Sequence, residues 1–329
     1  PTPAPFIRET WGHSVEGRPI TATRIGHGPY QVALVGGIHG GSEANAYRVA
    51  RELLDYFTAH PQAVPEEVTL WIVPSVNPDG LAQGTRFNAH EVDLNRNADT
   101  DLDGCAGNDW QPAIYTTQGV FPTAGGPYPF SEPETQLMRD HLTMMHVVVF
   151  YHSQGGMVLA AGCRARSPSV TLAQVLAEAT GYKFPPEGWT AYPTTGTIAD
   201  YLADQGVAVS EVELSNRRDT EFERNLKGVL AVLQAVESIV RTPTVDTELV
   251  WLTPADLTAL PYPPGVIPHP LSGAVSPAGD LYFIAGGSLC RWPEGVITPP
   301  GGAVDDVPVP VSYTHLRAHE TRHDLVCRL

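Results

Sequence analysis

Strand-sized apolar runs alternate with helix-spaced segments over residues 20–240, and that alternation limits the fold more than any other feature of the chain. Residues 20–25, 31–38, 68–73, 145–152 and 207–214 read as strands, several of them nearly unbroken in Val, Leu and Ile. A strand that is apolar along its whole length is covered on both faces, as in the parallel sheets of α/β proteins. Residues 45–57 carry Val49, Leu53, Leu54 and Phe57 at helical spacing, and residues 222–240 do the same with Leu226, Leu230, Leu233 and Ile239. Shorter helices are expected over 133–143, 169–180 and 197–204, the first entered through the acidic residues Glu132 and Glu134. The expected architecture is an α/β three-layer sandwich around a mixed, mostly parallel central sheet.

Two regions break the rhythm. Residues 77–131 form a polar, Gly-rich stretch, and a connection of that length inside a compact domain is usually functional. Beyond Arg241 prolines and glycines multiply, so residues 1–243 are taken as the main domain and 244–311 as a small β-rich appendage with a Gly-Gly hairpin near 284–292. Residues 312–329 crowd His and Arg into an otherwise acidic chain and resemble translated sequencing-adapter DNA; they are read as a non-native tail, and their histidines are set aside.

The formal charge of −16 repels phosphate backbones and argues against a nucleic-acid partner. No apolar run approaches transmembrane length. The four cysteines show no CxxC spacing; Cys105 and Cys163 lie in Gly-containing loops and read as a disulfide or, more blandly, as two free thiols. The chain opens on Pro1 with a proline-rich stretch, read as a trimmed start, and a secreted, cell-surface or periplasmic location is expected.

Four clusters carry chemistry. In Gly36-Gly-Ile-His-Gly-Gly-Ser-Glu43 an apolar strand runs through glycines to His39 and then to Glu43 at a helix start, so an imidazole and a carboxylate can converge on one ion. In Val147-Val-Val-Phe-Tyr-His152 a second buried strand ends in a histidine, where α/β sheets place their sites. Asn77-Pro-Asp-Gly80, Arg86 and Asp93-Leu-Asn95-Arg96 place amide and charged groups in the long loop; an arginine with an amide donor suits a peptide's terminal carboxylate. In Val207-Ala-Val-Ser-Glu211-Val-Glu213-Leu two carboxylates share one face of an apolar strand, as groups used in acid–base work do. Each cluster alone has a blander reading, as core histidines, a solvated turn or an exposed strand face.

Together and in this order, the clusters resemble the zinc carboxypeptidase family typified by pancreatic carboxypeptidase A, over about residues 10–240. The resemblance implies a single zinc ion on His39, Glu43 and His152, with Asp93 orienting His39. It implies Glu213 as general base, with Glu211 as the alternative register. Arg86 is implied to polarise the scissile carbonyl, Asn95 and Arg96 to clamp the substrate carboxylate, and Tyr192 to cover the substrate. Ala199 matches the position at the base of the side-chain pocket, and as an uncharged residue implies no preference for Lys or Arg; a register one residue on, at Asp200, would imply the reverse. One departure stands out: the family's His-x-x-Glu is here His39-Gly-Gly-Ser-Glu43, with one residue more. The extra glycine is expected to loop out and still deliver the carboxylate.

The implied reaction is hydrolysis of the C-terminal bond of a peptide substrate. Competing readings are a cell-wall amidase of the same fold acting on γ-D-glutamyl-diaminopimelate bonds, an amidohydrolase of the aspartoacylase type, and an inactive zinc-binding module. Asn95, Arg96 and Tyr192 speak against the second; Arg86 and Glu213 speak against the third.

Overall fold

The chain divides into two compact units, Pro1–Thr244 and Val245–Leu329, and the alternation of runs is realised in the first, whose described residues form fifteen strands and α-helices. The computed structural model describes residues 6–101, 107–162, 167–185 and 188–241, and in the second unit the backbone of five short strands. In chain order the first unit contains β1 (Phe6–His13), β2 (Pro19–Gly26), β3 (Tyr30–Val35), α1 (Ala44–Ala59), β4 (Val68–Val73), α2 (Pro78–Gln83), β5 (Ile114–Thr116) and β6 (Gly119–Phe121). It continues with α3 (Pro133–Leu142), β7 (Val147–Ser153), β8 (Met157–Ala160), α4 (Ser167–Thr180), α5 (Ile198–Asp204), β9 (Ala208–Leu214) and α6 (Phe222–Val240).

Seven strands form one mixed sheet in the order β1-β2-β4-β3-β7-β9-β8. Its centre, β4-β3-β7-β9, is parallel. Antiparallel strands close both sides, β1 and β2 on one and β8 on the other. Side-chain alternation sends Val32, Leu34, Val147, Val149 and Tyr151 into the layer that holds α1, α4 and α6. The odd residues of β3 and the even ones of β7, Ala33, Val35, Val148 and Phe150, enter the opposite core with α3 and α5. Three layers result because both faces of the central strands are apolar.

The strand order positions the site. After β3 the chain moves outward to β4 on one side, then returns across β3 to place β7 on the other. The sheet therefore reverses direction between β3 and β7, and a crevice opens outside their carboxyl ends. His39 follows β3, His152 is the penultimate residue of β7, and Glu213 lies opposite His152 in the β7–β9 register. On β7 His152 has the parity of Val148 and Phe150, and on β9 Glu211 and Glu213 have the parity of Val209. All three residues thus point to the α3/α5 side.

Several elements differ from the expectation. The strand at 31–38 ends at Val35, because Gly36 and Gly37 take the chain into a turn. The long polar stretch holds α2, a 3-10 turn at Leu94–Arg96 and the β5–β6 hairpin. The edge strands β1 and β8 were not foreseen, since β1 alternates weakly and carries charge, as edges do, and β8 has only four residues.

The second unit holds β10 (Val250–Leu252), β11 (Gly273–Val275), β12 (Leu281–Ala285), β13 (Ser288–Trp292) and β14 (Val326–Arg328), an antiparallel sheet in that order. The β14 strand lies within the segment read as a tail. Cys105 and Cys163, read as a pair, lie outside the described residues. Among the described residues no helix is long and apolar enough to cross a membrane.

Candidate active site

Past Val35 the chain turns through glycines to His39, makes a 3-10 turn at Gly41–Glu43 and enters α1. Gly40 and Gly41 are required there. A Cβ on Gly40 would lie 2.2 Å from the Gly80 carbonyl oxygen and 2.6 Å from that of Thr85. Gly41 has φ +57° and abuts the Gly84 carbonyl. The extra residue between His39 and Glu43 is absorbed in this glycine turn, pressed against α2 and its exit.

Glu43 therefore still reaches the histidines. Its Oε2 is 3.1 Å from His39 Nδ1 and 3.5 Å from His152 Nδ1. One ligand atom from each of the three buried residues lies within 4.8 Å of the other two. Two imidazole nitrogens and a carboxylate oxygen form a donor set that suits zinc with a position left open for water. The residues therefore fit such an ion.

Outer partners hold this set in place. Asp93 Oδ1 is 2.9 Å from His39 Nε2 and accepts from the Asn95 backbone N–H at 3.0 Å, so one carboxylate both orients a ring and caps the turn at Leu94–Arg96. Arg86 donates through Nε to Asp93 at 2.8 Å and through Nη1 to Glu43 at 2.6 Å. Burial would raise the pKa of Asp93, but the Arg86 and His39 charges hold it well below the usual carboxylate range. Glu43 shows the same balance, with His39, His152 and Arg86 overcoming burial.

The triad opens into a cavity of about 540 Å³ lined by Asn95, Arg96, Tyr192, Asp200, Glu211 and Glu213 among others. Arg96 is only 3% exposed; its charge acts on Asp93 and Glu211, though neither makes a direct ion pair with it. Its Nη1 donates to the Asn95 carbonyl at 2.6 Å, and its Nε is buried without a partner. Asn95 accepts from the Ile198 N–H and donates from Nδ2 to Glu211. Tyr192 packs edge-on against Trp189, centroids 5.3 Å apart.

The two β9 carboxylates diverge. Glu213 Oε2 is buried with no hydrogen-bond partner. Burial, with help from the Glu43 and Glu211 charges and against His152 and Arg86, pushes Glu213 up to about 7. Glu211 is drawn down despite burial, by its contacts with His152 and Asn95. His152 is lowered by burial but raised more by Glu211 and Glu43, reaching about 10. Environment alone thus makes one carboxyl a proton acceptor near neutrality and the other an ionised group.

The residues that the resemblance implied as metal ligands, general base, carbonyl and carboxylate binders meet at this cavity, with Asp93 on His39 behind it. Ala199 does not. It is 1% exposed on the inner side of α5, packed with Ile198, Leu202 and Ala203 in the core. The cavity wall is its neighbour Asp200, which accepts from the Gly162 N–H at 2.8 Å and lies 3.4 Å from Asn108 Nδ2. Thr197 caps α5 by accepting from the Asp200 N–H, and that start sets which residues of the helix face inward. Ala199 therefore does not form the base of the cavity, and the adjacent register, Asp200, is the one that lines it. The sequence also gave no notice of Asn45 and Ser153, joined at 2.8 Å behind Glu43, or of Thr116, Thr117 and Gln118 of the hairpin on the cavity rim.

A family model described as zinc carboxypeptidase matches residues 6–227. Carboxypeptidase SOL1 of Arabidopsis thaliana is 34% identical over 96 residues, which are 26% of this chain and 20% of that protein. The chain thus spans about a fifth of the length of the curated relative it matches. Bovine thrombin-activatable fibrinolysis inhibitor, in complex with tick carboxypeptidase inhibitor, is similar with a TM-score of 0.58 and 18% identity, over 73% of this chain and 92% of that one. Carboxypeptidase A of Helicoverpa armigera is similar with a TM-score of 0.57 and 17% identity, over 72% of this chain and 69% of that one. At these identities the likeness shows a shared fold.

Proposed function

This chain belongs to the zinc carboxypeptidase family, and from that premise we propose that it is a one-zinc metallocarboxypeptidase that hydrolyses the C-terminal bond of peptides. The observation that carries the reading is Arg96, a buried guanidinium whose Nε meets no acceptor among the described residues, lining the same cavity as the metal triad. A buried guanidinium N–H left without an acceptor is expensive unless a ligand arrives to meet it. A substrate's terminal carboxylate is such a ligand, and Asn95 adds an amide donor beside it.

His39 Nδ1, His152 Nδ1 and Glu43 would hold the ion. Zinc supplies Lewis acidity there, making water more acidic and the scissile carbonyl more electrophilic. Arg96 and Asn95 hold the carboxylate and so fix which peptide bond stands before Glu213. Glu213 takes a proton from the attacking water on its unpartnered Oε2 and passes it to the departing amine, a task matched to a carboxyl near 7. Arg86 uses Nε and Nη1 on Asp93 and Glu43 and keeps Nη2 for the developing oxyanion. Tyr192, held by Trp189, covers the substrate and limits water. Asp200 on the cavity wall, with no cationic partner among the described residues, favours a C-terminal residue with a cationic side chain.

The test is to incubate zinc-loaded protein with peptides of known sequence and follow products by mass spectrometry. Stepwise loss of single C-terminal residues supports the reading. Internal cleavage overturns it, and so does hydrolysis of γ-D-glutamyl-diaminopimelate peptides in place of ordinary ones.

A further inference from the structure

The two metal histidines stand in matching surroundings, and only one outer partner was foreseen. Both rings turn Nδ1 toward Glu43 Oε2, which leaves Nε2 on the far side of each. At His39 that nitrogen meets Asp93 Oδ1 at 2.9 Å. At His152 the acceptor facing Nε2 is Glu211 Oε1, at 3.4 Å, an ion-pair distance not yet aligned as a hydrogen bond. We propose that Glu211 is the positioning carboxylate of the second metal histidine, holding the N–H of His152 so that Nδ1 presents its lone pair to the ion.

Glu211 is itself anchored. Its Oε1 accepts from Asn95 Nδ2 at 3.0 Å, and Asn95 Oδ1 accepts from the Ile198 N–H at 3.3 Å at the start of α5. The parallel β7–β9 register sets Glu211 beside Phe150 and Glu213 beside His152, so the two carboxylates approach the ring from adjacent positions of one strand face. His152 Nε2 has no hydrogen-bond partner among the described residues, and the ion-pair contact it makes is with Glu211. An outer acceptor on a metal-bound imidazole fixes its tautomer and raises its donor strength. The same strand then does two jobs: one glutamate faces the reacting water and the next one back faces the ligand.

The inference rests on the zinc reading, and its test separates the two. Zinc affinity of the full chain is measured by competition with a chromophoric chelator for the wild type, Glu211→Gln and Glu211→Ala. The visible absorption of each cobalt-loaded protein is recorded at full occupancy. Glu211→Ala is expected to weaken zinc about ten- to a hundredfold, with Glu211→Gln between it and the wild type, and the cobalt bands are expected to move in both. Glu211→Gln keeps the shape of the side chain and an oxygen for Asn95, so it reports even if the alanine variant does not fold. If both variants bind zinc as the wild type does, with unmoved cobalt bands, the inference is overturned, and a changed preference among C-terminal side chains would then assign Glu211 to the substrate. A wild type that binds no zinc would instead defeat the zinc reading itself.

Discussion

Replacing Glu213 by Gln should stabilise the metal-free protein, and increasingly so as pH rises. The folded carboxyl titrates near 7 against an ordinary value of 4.5, largely because it is buried with an unpartnered oxygen. Below 4.5 both folded and unfolded chains are protonated and the burial has no electrostatic penalty. Between 4.5 and 7 the unfolded chain ionises while the folded one stays neutral, so stability falls with pH; above 7 the loss is constant. Integrating that difference, the wild type loses about 1 kcal/mol at pH 5 and about 3 kcal/mol at pH 8. Glutamine keeps the shape without the charge and escapes the loss. Chemical denaturation of both metal-free proteins across this pH range measures it, provided each transition is two-state. A gap that does not grow with pH, or a Gln variant less stable than the wild type at pH 8, would refute the assignment of Glu213 as a carboxyl held protonated by its site. The same substitution should lower turnover by about 10²- to 10⁴-fold with zinc still bound, since a destabilising group at this point has its use in proton transfer.

Zinc uptake near neutral pH should release at least one proton, because Glu211 and Glu43 favour the protonated His152 ring in the metal-free site and the ring must become neutral to donate. Calorimetry in buffers of different ionisation enthalpy reads the number, and a value of zero contradicts the protonated ring. Asp200→Asn should reduce cleavage of peptides ending in Lys or Arg by about tenfold or more relative to those ending in Leu, as expected for loss of a charged hydrogen bond; equal kcat/KM ratios in the two proteins would remove Asp200 from substrate selection. Gly40→Ala drives a methyl into the Gly80 and Thr85 carbonyls and should destabilise the fold by about 1–3 kcal/mol. Its zinc affinity should fall too, because the turn that carries Glu43 must move; unchanged stability and affinity would show that the turn has room.

Legibility followed the physical source of each feature. Central strands such as Val68–Val73 and Val147–Ser153 are buried on both faces and therefore wrote themselves into the sequence as apolar runs. The edge strand Phe6–His13 exposes half its residues and left no such trace. His39 and His152 were visible because glycines mark where strands hand the chain to a site. Between Ala199 and the adjacent Asp200 the sequence pattern does not decide, because the facing of α5 is set by the Thr197 cap, and the structure buries Ala199 and lines the cavity with Asp200. That Glu211 and Glu213 share a face is a two-residue regularity and could be read directly. Which of them reaches His152 depends on the β7–β9 register, a long-range pairing that neither strand encodes alone.

The most direct test of the account compares kcat/KM of the zinc-loaded protein on one peptide with a free C-terminal carboxylate and on the same peptide amidated. Arg96 and Asn95 as a carboxylate clamp predict strong preference for the free acid, by about 2 kcal/mol or more from charge-assisted hydrogen bonds alone, and collapse of that preference in Arg96→Met. Equal rates on acid and amide in the wild type, or a preference that survives Arg96→Met, would contradict it.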